Sequence, residues 1–258
     1  MIKSICAVIQ YRDLILGLAA KDLKIKYKNA FFGFLWSLLM PLFLAFIFFI
    51  VFTKVIPMGI ERFPIFLLCA LFPWNFVQLC LSAGTVSIVT SGNLIKKVYF
   101  PREAIPVSVV LSNAYNFILS MIILMAIILF SGIKIKLVIL YLPLIIACQL
   151  IFTLGLVLVF SGLHTYYRDV KYIVEMFLLG WFYMTPIFYP HRLIPEAYRP
   201  VYMLNPMAVF VNLYREIMLY GTWPAFSDLS YIALSSLLLY LIGSWVFRRY
   251  DPLFADMV

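Results

Sequence analysis

The only histidine and carboxylate whose spacing suggests catalysis lie in His164-Thr165-Tyr166-Tyr167-Arg168-Asp169. In the pattern H-x-x-x-x-D an imidazole serves as general base and a carboxylate orients it, as in some lipid acyltransferases. Here the pattern falls in a short basic turn, with no further acyl-transfer motif. The chain has only two histidines, and its 11 carboxylates lie in loops or at the ends of apolar stretches. No G-x-x-x-x-G-K-[ST] phosphate loop occurs, so the chain lacks the residues for P-loop binding of ATP. Its four cysteines, Cys6, Cys69, Cys80 and Cys148, form no close-spaced pair, so neither a disulfide framework nor a metal site is expected.

The elements that would position any site are apolar helices. Asn29–Thr53, Phe63–Ile95, Ala104–Ile133, Leu137–Leu163 and Leu229–Phe247 contain no Asp, Glu, Lys, Arg or His. Each is long enough to cross a hydrocarbon core, which takes about 20 apolar residues in a helix. A sixth stretch, Tyr172–Pro190, carries one carboxylate, Glu175, in its first turn. With 65% hydrophobic and 12% charged residues, the chain reads as an all-α membrane protein. Six spans are expected, at about 34–54, 65–89, 105–130, 138–163, 172–190 and 229–247. A 1–28 N-terminal segment precedes a 29–258 transmembrane domain. No cleavable signal is expected, because the apolar patch Leu14–Ala20 is short and Lys21 and Asp22 follow at once.

The net charge of +9 is informative through its placement. Thirteen of the 20 Lys and Arg fall before span one, between spans two and three, between spans four and five, or after span six. The other seven, Lys54, Arg62, Lys134, Lys136, Arg192, Arg199 and Arg215, fall on the opposite side. The positive-inside rule then puts both termini in the cytoplasm, with the chain in the cytoplasmic (inner) membrane. Nucleic acid is not an expected partner, because no soluble basic surface exists to present to it.

Residues 1–28 read as an amphipathic interfacial helix, with Leu14, Ile15, Leu18 and Ile25 interleaved with Arg12, Lys21, Lys24 and Lys28. Its basic face suits anionic lipid. Between spans five and six, Pro186, Pro190, Pro195, Pro200 and Pro206 rule out one continuous helix. Asn205–Leu219 is apolar apart from Arg215 and Glu216 but too short to cross, which suits re-entrant segments. Pro186, Pro190, Pro195, Pro206, Val209 and Leu213 are therefore candidates for an outer gate.

The spans lack the acidic residues that couple transport to an ion gradient. Glu175 sits at the start of a helix, where the dipole favours an anion, with Lys171 at i,i+4 spacing. Active transport would need a partner to supply energy, and a passive channel is the other possibility. Aromatics make up 18% of the chain. Tyr115, Asn116, Trp181, Phe182 and Tyr183 fall mid-span and are candidate pore-lining residues, since aromatic faces with hydroxyl or amide groups can slide along sugar rings. Packing and interfacial belts are the plainer reading of each one.

Three segments in register resemble one family. The first is Arg12-Asp13-Leu14 through Lys21-Asp22-Leu23-Lys24-Ile25-Lys26-Tyr27-Lys28, leading to Gly33-Phe34-Leu35-Trp36 and Met40-Pro41-Leu42. The second is Asn93-Leu94-Ile95-Lys96-Lys97-Val98-Tyr99-Phe100-Pro101-Arg102-Glu103-Ala104-Ile105-Pro106. The third is Tyr167-Arg168-Asp169-Val170, followed by Thr185-Pro186-Ile187-Phe188-Tyr189 and Leu204-Asn205-Pro206-Met207. Together they resemble permease subunits of ABC exporters that move polysaccharides and polyol phosphates, including O-antigen exporters.

The resemblance implies a homodimeric pore above two copies of a separate ATPase subunit, which would hold ATP and Mg; no cofactor is expected in this chain. It implies a lipid-linked polysaccharide as substrate. It also implies a coupling helix in the loop Asn93–Glu103, with Asn93, Lys96, Lys97, Tyr99, Phe100, Pro101, Arg102 and Glu103 facing the ATPase, joined by Arg168 and Asp169. Importer permeases carry E-A-A followed three residues later by Gly, and Glu103-Ala104-Ile105 departs from that pattern. The rival classes are a secondary transporter or flippase driven without ATP, and a lipid-modifying enzyme resting on His164 and Asp169.

Overall fold

The computed structural model describes residues 11–28, 35–55, 59–190 and 193–257. Gly33, Phe34, Arg192, Cys6 and the first ten residues of the N-terminal segment lie outside these. Among the described residues every regular element is helical.

The helices run in order as α1 (Arg12–Tyr27), α2 (Leu35–Ile50), α3 (Phe63–Thr90), α4 (Gly92–Lys97), α5 (Ala104–Phe130), α6 (Leu142–Tyr166), α7 (Val170–Met184), α8 (Arg199–Met203), α9 (Pro206–Arg215), α10 (Phe226–Tyr250) and α11 (Phe254–Met257). A π turn, Val51–Val55, prolongs α2, and a second, Glu216–Tyr220, prolongs α9. A 3₁₀ turn, Leu137–Tyr141, leads into α6. Among the described residues four helical segments are long and apolar enough to cross a membrane: Phe63–Thr90, Ala104–Phe130, Leu137–Tyr166 and Phe226–Tyr250. The helices α2 and α7 are shorter, and α7 stops at Met184 rather than near residue 190. Pro186 explains that stop, because the residue before a proline is driven out of the helical region, and Thr185 is extended (φ −96°, ψ 134°).

At the centre stands α3, most of it buried, packed against α2, α5, α6, α7 and α9. The most extensive helix pair is α6 with α10. Two glycines permit it. A Cβ on Gly155 would lie 2.6 Å from the Leu239 carbonyl carbon and the Tyr240 nitrogen, and one on Gly243 would overlap the Gly155 carbonyl oxygen. Small residues that let backbones approach are the usual basis of helix association in lipid, where apolar burial gives no preference for a neighbouring helix.

The N-terminal helix α1 stands against α5. Its Ile15 joins an apolar cluster with Phe100, Ile105 and Phe254, and near its other end Lys26 Nζ donates to Asn113 Oδ1 at 3.2 Å. The pair spans much of the first half of α5, since Asn113 lies nine residues beyond Ala104, about 13 Å along the axis.

Candidate coupling surface and translocation cleft

One end of the bundle gathers the loop between α3 and α5, the turn between α6 and α7, and the C-terminal segment. The short helix α4 ends at Val98, which is extended (φ −133°, ψ 135°), and the chain then divides its two aromatics. Phe100 is buried with Ile95 and Phe254, whereas Tyr99 is 98% exposed. Asn93, Lys96 and Lys97 are also exposed, and Pro101 stiffens the following turn.

Three ties hold this end together, two from the loop and one from the turn between α6 and α7. Arg102 donates to the main-chain carbonyl of Asp251 and lies 3.4 Å from its carboxylate. Arg248 Nε donates to Glu103 Oε1 at 3.1 Å, and Arg168 donates to the Met257 carbonyl at 2.8 Å. Asp169 precedes α7, its carbonyl accepting from the amides of Tyr172 and Ile173. Burial pushes the Asp251 carboxyl above its ordinary range, while the Arg102 guanidinium opposes that shift. A groove of about 700 Å³ runs beside Tyr11, Lys97, Tyr99, Pro101 and Pro252. The loop is therefore a braced projection with a basic and aromatic outer face.

Between α2, α3 and α7 lies a cleft of about 730 Å³, lined by Met40, Trp74, Asn75, Gln78, Glu175, Phe182 and Tyr183 among others. It offers aromatic faces, two amides and one carboxylate along an apolar wall. Trp181 faces the other way. It packs edge-on to Trp74 at 5.5 Å and near Phe152 and Phe177, and its Nε1 donates to Asn205 Oδ1 at 2.9 Å. Tyr115 is 55% exposed on the outside of α5, and Asn116 is buried with neither side-chain atom hydrogen bonded among the described residues. The structure thus brings Phe182 and Tyr183 together in the cleft, and places Trp181, Tyr115 and Asn116 outside it.

At the opposite end, the segment after α7 folds back on the bundle in short pieces. Asn205 caps α9 by accepting from the Met207 amide at 3.0 Å, and Pro206 takes the first helical position, where a missing N–H costs nothing. Val209 and Leu213 are buried, at 3% and 0% exposure, with Met207, Phe210 and Tyr214. Tyr214 donates to Gln149 Oε1 at 2.7 Å, and Gln149 Nε2 donates to the Pro73 carbonyl at 2.9 Å. Arg215 donates to the Pro186 carbonyl at 2.7 Å and to those of Ile187 and Phe66. Pro190 lines a cleft of about 660 Å³ with Glu61, Glu216 and Asp228, and Pro195 lies in the exposed stretch before α8.

Residues 13–219 match the family described as ABC-2 type transporter. The chain belongs to the ABC-2 type transporter family. Over 95% of both chains it is 31% identical to an O-antigen export system permease protein of Klebsiella pneumoniae. Over the full length of both it is 31% identical to an O-antigen export system permease protein of Myxococcus xanthus. It is 23% identical to a polysialic acid transport protein of Escherichia coli, over 90% of this chain and 91% of that one.

Among the described residues no hydrogen bond joins His164 to Asp169. His164 is buried at the end of α6 with its Nδ1 unbonded, while Asp169 is exposed on the turn beyond. A base needs its orienting carboxylate in hydrogen-bond reach. Cleft residues that sequence reasoning missed are Asn75, Gln78 and Glu175. Asn75 and Gln78 lie three apart on α3, the spacing that puts two side chains on one face of a helix. That signal was available, but the partner wall was not.

Proposed function

We propose that this chain is the membrane-spanning permease subunit of an ATP-driven exporter of lipid-linked, O-antigen-like polysaccharide across the cytoplasmic membrane. The observation that carries the reading is its end-to-end likeness to O-antigen export permeases of two organisms. The geometry is in keeping. A cleft with aromatic faces and few charges suits a glycan that must slide without being gripped, and the braced loop suits contact with a moving partner.

In this reading the four long helices and the shorter α2 and α7 make six spans, with both termini cytoplasmic. The domain division is a 1–28 interfacial segment and a 29–258 membrane domain. Two copies pair so that their clefts face one another. Two copies of a separate ATPase subunit, which hold ATP and Mg, dock on Asn93–Glu103 with Arg168 and Asp169 alongside. The pieces between Pro186 and Leu219 are re-entrant and close the path from outside. The chain itself turns over nothing.

The test is reconstitution. The purified chain in proteoliposomes should show no ATP hydrolysis by itself and should gain it with its cognate ATPase subunit. Cells lacking the chain should hold the finished glycan inside and resume export when it is restored. ATP turnover by the uncontaminated chain, or export undiminished without it, would overturn the proposal.

A further inference from the structure

Lys26 holds an exposed position on α1, and its ammonium reaches across to α5 at the edge of a cleft. Among the described residues its one side-chain hydrogen bond goes to Asn113 Oδ1, at 3.2 Å, about 13 Å along α5 from the helix start. The thiol of Cys80, on the middle of α3, lies near enough to influence its charge, and burial pushes the ammonium pKa down. Among the described residues no carboxylate is ion-paired to it. An ammonium has three donors, so two remain for another partner.

The space beside it is a cleft of about 670 Å³ enclosed by α1, the second half of α3, α4 and the start of α5. Lys21 and Lys26 line it from α1, with Ser82, Ser91, Asn93 and Asn113 among the facing residues. One carboxylate shares the wall, Asp22. Burial pushes that carboxyl up, while neighbouring Lys21 pulls it down. The lining is thus two ammonium groups with hydroxyls and amides around them, against apolar Leu18, Leu23 and Leu79. A charged head would meet the polar groups and a hydrocarbon tail the leucines.

We infer that this cleft binds the phosphate of a lipid headgroup from the cytoplasmic leaflet, with Lys26 as the principal cation and Lys21 assisting. Lipid phosphate has two sources, the polyprenyl carrier of an exported glycan and a bilayer phospholipid. The carrier assignment rests on the export reading, whereas the phosphate site needs only a chain that lies in the membrane. Because α4 forms one wall, an occupant touches the same short helix that begins the proposed coupling loop.

The test uses the full-length chain purified in detergent, with bound lipid read by native mass spectrometry. The probes are polyprenyl phosphate, phosphatidylglycerol, diacylglycerol and inorganic phosphate. Wild type should retain at least one phospholipid probe and not diacylglycerol. Lys26→Gln should cut retention at least fivefold, Lys26→Arg should keep most of it, and Lys24→Gln, at an exposed position outside the cleft, should leave it unchanged. Ala83→Phe fills the cleft with every charge intact and should also cut retention, which covers failure of Lys26→Gln to fold. Preference for polyprenyl phosphate supports the carrier as source, and equal retention of phosphatidylglycerol supports a bilayer lipid. Undiminished retention in the folded Lys26→Gln or Ala83→Phe chain overturns the site. So does equal retention of diacylglycerol, or binding of inorganic phosphate in place of lipid. None of these measurements depends on transport, so failed export with intact lipid binding refutes only the export reading.

Discussion

The guanidinium of Arg215 lies 3.6 Å from the centre of the Phe66 ring, and its Nε donates to the Phe66 carbonyl at 3.2 Å. Its other nitrogens donate to the carbonyls of Pro186 and Ile187, so one planar fork ties the end of α9 to both α3 and the strap after α7. A lysine has neither the fork nor the flat face for stacking. Arg215→Lys should therefore destabilise the protein by about 3 kcal/mol, since hydrogen bonds from charged donors contribute about 1.5–3 kcal/mol each. Thermal unfolding in detergent checks it. A shift in Tm no larger than that of an exposed Arg12→Lys control would show that the fork is dispensable.

That tie also marks where the sequence stops being informative. The long spans were legible because unbroken apolar runs such as Ala104–Ile133 admit one reading in lipid. The five prolines from Pro186 to Pro206 announced broken backbone, and the short helices α8 and α9 are what such spacing allows. Arg215, by contrast, looked like one of seven positive charges on the outer side, and only three-dimensional packing gives it three carbonyl partners. Trp181, Phe182 and Tyr183 are adjacent in sequence, yet successive helical residues point about 100° apart. Which of the three reaches the cleft depends on the rotation of α7 against α3, and composition carries no information about that.

Close approach of α6 and α10 at Gly155 and Gly243 makes a second expectation. Gly243→Ala puts a methyl group into the Gly155 carbonyl, and backbone cannot move aside as a flexible side chain can. Overpacking of this kind costs about 1–3 kcal/mol. Gly180→Ala, where a Cβ meets nothing within 4 Å, should be neutral or slightly stabilising, since alanine is the better helix former. Unfolding midpoints that rank the two substitutions the other way would disprove the tight crossing.

At the proposed coupling loop, Arg102 and Asp251 can be separated experimentally. Burial raises the Asp251 carboxyl above its ordinary value of 3.8, so its ionised form costs stability as pH rises past that point. Asp251→Asn removes this cost along with the charge pairing and leaves the main-chain carbonyl for Arg102. The lost cost and the lost pairing oppose one another, so stability should change by less than about 1 kcal/mol, the upper end for exposed ion pairs. Arg102→Glu faces Asp251 with a second carboxylate and should release the C-terminal segment. Hydrogen exchange over residues 250–257 reads this directly, with fast exchange expected only in Arg102→Glu.

Tyr99 allows the docking role to be tested without disturbing the fold. Its ring is 98% exposed, while Phe100 beside it anchors the loop. Exposed aromatics are enriched among residues that carry interface energy, and truncating one at such a centre costs on the order of 2 kcal/mol of binding. Tyr99→Ala should leave the Tm of the isolated chain unchanged and weaken assembly with the ATPase subunit roughly thirtyfold, the factor that energy corresponds to. Assembly at wild-type strength would mean that the projection only sets orientation.

The segment from Pro186 to Leu219 is where the proposed outer gate can be tested. Val209 and Leu213 are buried on α9, whereas Leu204, one residue before the Asn205 cap, is 72% exposed. If α9 is a plug that closes the path from outside, a cysteine at 209 or 213 should be shielded from a membrane-impermeant maleimide at rest, and one at 204 should react at once. Cys69, Cys80 and Cys148 are buried and free, so their background labelling in the folded protein should be low, though Cys6 must first be replaced. During active export the shielding should fall, because a polymer many sugars long cannot pass a closed plug. Pro206 and the π turn after Arg215 bound α9 at its two ends, so the helix can shift as a unit while Arg215 keeps or exchanges its carbonyl partners. Substitution at 209 perturbs packing, so each variant must first export at a measurable rate. Full labelling at 209 and 213 in the resting protein would make this an ordinary exposed connection, and shielding that stays constant through transport would leave α9 as fixed structure beside the path.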